Sequence, residues 1–106
     1  LASWAAGEIP SPRESWRHCS ARVEWALAAV SQGDGPALVV TSGGLISIAM
    51  RHALELDTKA TARMALAIMN TSVHRLHPIG GHLCSVLFNA VPHLENPDRH
   101  YAQTHL

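Results

Sequence analysis

Ala37-Leu38-Val39-Val40-Thr41-Ser42-Gly43-Gly44-Leu45-Ile46 is the stretch on which the fold turns. The apolar run from Ala37 to Val40 lacks polar alternation, which suits a strand covered on both faces at the centre of an α/β sheet. Two glycines then lead into Leu45 to Leu56, which reads as a helix. A strand that empties through glycines into a helix is where α/β proteins commonly hold an anion, because unpaired N–H groups and the helix dipole both point at the turn. The Walker and dinucleotide glycine fingerprints are both missing. This segment alone therefore leaves two readings, a phosphate cradle or a tight turn that needs glycine for its own geometry.

Upstream, Ser11-Pro12-Arg13-Glu14 has the pattern of a capping box, with Ser11 at the N-cap, Pro12 in the first helical position and Glu14 reaching back to the cap. A helix is predicted from here. Trp16, Cys19, Val23, Leu27 and Val30 recur at steps of three and four, while Arg13, Arg17, Ser20, Glu24 and Ser31 fall largely on the other side. Gln32-Gly33-Asp34-Gly35-Pro36 ends it.

Downstream, a further helix is predicted from Thr58, as N-cap, to Met69, with Ala60, Met64, Leu66, Ala67 and Ile68 supplying apolar mass. Thr71 to Ile79 and His82 to Phe88 are strand-like runs flanking Gly80-Gly81, a dipeptide that tolerates the positive φ of a two-residue hairpin turn. From Asn89 onward the chain is polar, carries Pro92 and Pro97, and reads as loop and short turns.

A chain of 106 residues makes one domain at most. It opens on Leu1, which marks it as a product of processing, of cloning, or of excision from something longer. Eight basic residues balance eight acidic ones, so no net field draws it to nucleic acid or an anionic membrane, although eight histidines make it cationic in mild acid. Ala37 to Met50, the longest apolar stretch, is interrupted and too short to span a bilayer. With no visible secretory segment, Cys19 and Cys84 read as free thiols in a reducing compartment, and a cytoplasmic location is expected.

A two-residue turn at Gly80-Gly81 sets His77 opposite Cys84 with His82 on the same face. Half-buried strand histidines explain this better than a metal site, which wants four ligands or three plus water. Ser42 lacks the Gly-x-Ser-x-Gly elbow of a hydrolase nucleophile. Trp4, Trp16 and Trp25 have no basic patch around them and read as core and rim packing. No metal or cofactor is expected.

Several pieces occur in one order: Glu14-Ser15; Arg22-Val23 with Ala26-Leu27; Ala37 to Ile46; Asn70-Thr71-Ser72-Val73; Phe88-Asn89; and Pro92-His93-Leu94. Together they resemble the C-terminal half of the histidine phosphatase superfamily, the phosphoglycerate mutase-like proteins, from roughly Trp4 to the end. The resemblance implies a three-layer α/β/α fold with a central mixed sheet, of which this chain supplies a partial set of elements including a C-terminal hairpin. It also implies phosphoryl transfer through a phosphohistidine, on a small phosphorylated substrate or with inorganic phosphate.

The family's nucleophile lies in an Arg-His-Gly motif, which this chain does not contain. The resemblance places the second active-site histidine at Ser42, and phosphate contact at Ser42 and the Gly43 N–H. Serine donates a hydrogen bond but carries no charge. The expectation is a protein that is a phosphatase-like hydrolase when complete and inactive as this chain alone. The alternative is a non-catalytic phosphate-binding or assembly module of the same fold. In that fold Ala37 to Thr41 pairs with a first strand absent here, so a homo-oligomer or association with the missing half is expected to cover the edge. An independent small α/β domain that binds a nucleotide phosphate would instead be a cooperative monomer.

Overall fold

The computed structural model describes residues 1–10 and 12–105. Four helices come first: α1 (Ala2–Ala5), α2 (Trp16–Val30), α3 (Gly43–Leu54) and α4 (Thr58–Ala67). An antiparallel hairpin of β1 (Val73–Ile79) and β2 (His82–Ala90) follows, then short 3-10 segments at Pro92–Leu94 and Pro97–Ala102. This mixture is consistent with an α/β fold. No helix among the described residues is long and apolar enough to cross a membrane.

Helix α2 begins four residues later than the capping-box pattern predicts. Ser15 is its N-cap, with extended backbone and a side chain that accepts the His18 N–H at 3.1 Å. Ser11 lies outside the described residues, and Glu14 is drawn to side chains of α2. Helix α4 likewise starts from Asp57, whose carboxylate accepts the Ala60 N–H at 2.7 Å, so Thr58 is the first helical residue and not the cap. Its far end stops at Ala67, short of the predicted Met69.

The hairpin forms as its turn chemistry requires. Gly80 and Gly81 sit at φ +59° and +81°, and the register sets Ile79 opposite His82 and His77 opposite Cys84. Register irregularities on either side of Arg75 bend β1 near its start. Strand β2 runs on past the predicted Phe88 to Ala90.

Helix α3 packs against α2, α4 and β2, and the core gathers on it. Cys19 and Val23 of α2 meet Ile48, flanked by Trp4, Trp16, Leu27, Leu45 and Ala49. Met50, Ser47 and Thr61 are fully buried. The two hydroxyls are satisfied locally, Ser47 Oγ donating to Gly44 O at 2.6 Å and Thr61 Oγ1 to Asp57 O at 2.8 Å. Both cysteines are free thiols. Ser20, expected on the outer face of α2, is buried, and Val30, expected on its core face, is exposed.

The predicted strand Ala37–Val40 does not form. Leu38 is 93 % and Val40 89 % exposed, and the segment carries no strand pairing among the described residues. The physical reason is that a strand exists only through a partner ladder. Local β-propensity supplies the extended tendency and no hydrogen bonds.

Candidate functional site

The glycine turn survives without its strand. Ser42 is the N-cap of α3 at φ −95°, ψ 161°; its carbonyl accepts the Ile46 N–H at 3.0 Å, and its hydroxyl makes no cap bond. Among the described residues no acceptor takes the N–H of Gly43, Gly44 or Leu45. Ser42 and Gly44 are exposed and Gly43 half-buried. Neither glycine has positive φ, and a Cβ on Gly44 would meet nothing within 4 Å. Position 44 therefore does not need glycine for its own geometry. What glycine provides is unobstructed access to the N–H groups at the positive end of a helix dipole. No lysine or arginine lies between Gly35 and Met50, so the turn offers donors without a charged side chain of its own.

Glu14 anchors a second polar group. Its carboxylate takes Arg22 in a fork, Nε to Oε2 and Nη2 to Oε1, both 3.0 Å, and His18 Nδ1 lies 2.7 Å from Oε2. The Arg22 hydrogen bonds, with His18 behind them, hold the carboxyl down at about 2 against an ordinary 4.5. Burial, then the nearby Glu14 charge, pushes the Cys19 thiol up, which makes it a poor nucleophile. Capping-box logic missed this group; the steps of four from Glu14 to His18 to Arg22 were the available signal.

A third cluster joins the end of α4 to the hairpin and the C-terminal turns. Asn89, at φ +59°, donates through Nδ2 to Ala67 O at 2.7 Å, and its Oδ1 accepts the Met69 N–H at 2.8 Å. Its main-chain N–H donates to His74 Nδ1 at 3.1 Å. That fixes the neutral tautomer of His74, so Nε2–H donates to Ser72 Oγ at 2.8 Å. Thr71, also at positive φ, meets His93 Nε2 at 2.9 Å, and Asn70 Nδ2 donates to Thr104 Oγ1 at 2.9 Å. Burial lowers the His74 pKa.

Asn70, Thr71, Ser72, Asn89 and His93 come from Asn70-Thr71-Ser72-Val73, Phe88-Asn89 and Pro92-His93-Leu94; Thr71 and His93 meet directly, and His74 bridges Ser72 and Asn89. The Histidine phosphatase superfamily (branch 1) model matches residues 1–91, which spans all four helices and both strands. The chain belongs to the histidine phosphatase superfamily. No curated protein and no solved structure matches it. The superfamily match takes in the Ser42 turn, the Glu14–Arg22 pair and Asn89.

Elsewhere in this superfamily member, His77 and Cys84 face each other across the hairpin as the turn predicts. Among the described residues they do not join a group of three metal-ligating side chains. Trp4 and Trp16 pack edge to face with centroids 5.3 Å apart, and Trp4 Nε1–H donates to Glu14 O at 2.8 Å. Trp25 is 73 % exposed and belongs to neither core nor rim.

Proposed function

We propose that the chain is the C-terminal part of a phosphoryl-transfer domain of this superfamily, with Ser42 Oγ and the Gly43 N–H lining the phosphate site. When complete, such a protein hydrolyses or transfers the phosphoryl group of a small phosphomonoester through a phosphohistidine that lies outside this chain. The observation that carries the reading is the start of α3, where a hydroxyl and three N–H groups stand without a protein acceptor among the described residues. The unpaired apolar run Leu38–Val40 supports a three-layer α/β/α arrangement in which it becomes a strand of a central sheet.

Ser42 sets the chemistry. A serine in place of a charged donor stabilises a transferring phosphoryl group less, by about 3 kcal/mol, which is roughly a hundredfold in rate. That difference, with the lack of Arg-His-Gly, favours a second reading for this chain as it stands, a phosphate-binding or assembly module.

Amide NMR with inorganic phosphate tests the site. Saturable shifts at Gly43 and Gly44 are expected, and Gly43→Pro abolishes them. Proline is compatible with the first helical position and with the extended Ser42 before it, so this variant deletes a donor and leaves the helix intact. Unchanged titration of Gly43→Pro sinks the reading. Intact mass and aryl phosphate turnover then separate the two functions. Turnover that requires the histidine of an Arg-His-Gly-bearing species supports the enzyme, and an inert, folded 106-residue chain supports the module.

A further inference from the structure

The cleft between α2 and α3 is a second place where donors stand without acceptors. Trp16, Arg17, Ser20, Ala21, Glu24 and Arg51 line a cavity of about 310 Å³. Two polar atoms of that lining, Ser20 Oγ and Arg51 Nε, are buried with no hydrogen-bond partner among the described residues. Ser20 is only 9 % exposed, so its hydroxyl cannot simply turn to bulk water. A buried donor left unmade costs more than a typical hydrogen bond returns, and a bound water or ion is one of the few ways a native fold meets that cost.

The charges around the cleft are not balanced. Arg51 sits with its guanidinium carbon 5.6 Å from the Trp16 ring centroid, held by the ring face and by no carboxylate. Neither Arg17 nor Arg51 forms a salt bridge among the described residues. Glu24, the one acid of the lining, lies 3.4 Å from His52 Nδ1, an ion pair only when that histidine is protonated. The cleft thus sets two guanidinium groups and a serine hydroxyl against a single carboxylate, a net positive lining for an incoming acceptor.

We propose that this cleft is a site for a small phosphate-like oxyanion, held by Arg51 and Arg17 with Ser20 Oγ as the neutral donor. It is separate from the Ser42 turn. Arg51 lies in the last turn of α3 and Ser42 at its N-cap, about 13 Å apart along the helix axis. The helix dipole helps an anion at Ser42 and opposes one at Arg51, so guanidinium charge has to supply the attraction here. The site does not depend on the phosphate reading of the Ser42 turn.

The test is a titration of the full chain with inorganic phosphate at constant ionic strength, following the Trp16 indole N–H by NMR. A saturable shift is expected, weakened about tenfold or more in Arg51→Ala and in Arg17→Ala, and unchanged in Gly43→Pro. Arg17→Ala keeps the contact between Arg51 and Trp16, so it reads the site even if Arg51→Ala loosens the helix pair. Ser20→Ala removes the orphan hydroxyl and weakens phosphate without lowering stability. A Trp16 indole that does not saturate overturns the proposal, as does a parent-like titration in both arginine variants. Response at Trp16 with none at Gly43 and Gly44 sustains this site and refutes the Ser42 one; the opposite pattern does the reverse.

Discussion

Replacing Asn89 by alanine tests whether the clasp between α4 and the hairpin holds this fold together. Alanine removes the acceptor of the part-buried Met69 N–H and the donor to Ala67 O, two hydrogen bonds worth about 1 kcal/mol each. It also puts a Cβ at φ +59° without the local bonding that lets asparagine tolerate that region, which adds about 1 kcal/mol. The expected loss is about 3 kcal/mol, a large share of the stability of a domain this size. Asn89→Gly loses the same two bonds but is at ease at that φ, so about 2 kcal/mol is expected. Urea denaturation followed by far-ultraviolet circular dichroism measures both. An alanine variant within about 1 kcal/mol of the parent refutes the reasoning, as does a glycine variant less stable than alanine.

Three other perturbations have signed outcomes. The His74 pKa is lowered in the fold, so the unfolded chain takes up the proton first; stability is full above pH 6.5 and declines as pH falls through that value towards the lower folded one. The difference in denaturation midpoint between the parent and His74→Gln should shrink in that window, and a flat difference contradicts the lowered pKa. Glu14 is held at about 2 in the fold against 4.5, so its contribution is present above 4.5 and fades as pH falls towards 2. Glu14→Gln should be less stable at neutral pH, less so in high salt, and should level with the parent near pH 2; an unchanged midpoint at low salt counts against the pair. Finally, Leu38→Lys with Val40→Lys should reduce concentration-dependent association in light scattering while shifting stability by no more than about 0.5 kcal/mol, because both side chains are exposed. Association that is unchanged places the sticky surface elsewhere.

What could be read in the chain depended on how far apart the deciding groups are. Gly80-Gly81 specifies a hairpin by itself, because the turn dictates which residues face each other for several positions on either side. The helical periods of α2, α3 and α4 are likewise local, but which side chains they bury is not: α2 buries Ser20 beside Cys19 and Val23, and α4 buries Thr61 while Leu66 is exposed. At the helix ends a neighbour decided: Glu14 bonds Arg22 and leaves Ser15 to cap α2, and Asp57 displaces Thr58 at the start of α4.

The order of its motifs also determined superfamily membership, and the glycine turn determined where the strongest candidate phosphate site stands. Tertiary structure alone decided that Asn89 locks Ala67 and Met69 across twenty or more residues, and that Ser20 and Arg51 open a second cleft. It also decided that Ala37–Val40 remains exposed, with no strand pairing among the described residues. A turn or a cap is settled by atoms a few bonds apart. A strand's ladder, a clasp or a cleft depends on which distant segment comes to lie alongside, and that choice is made by packing.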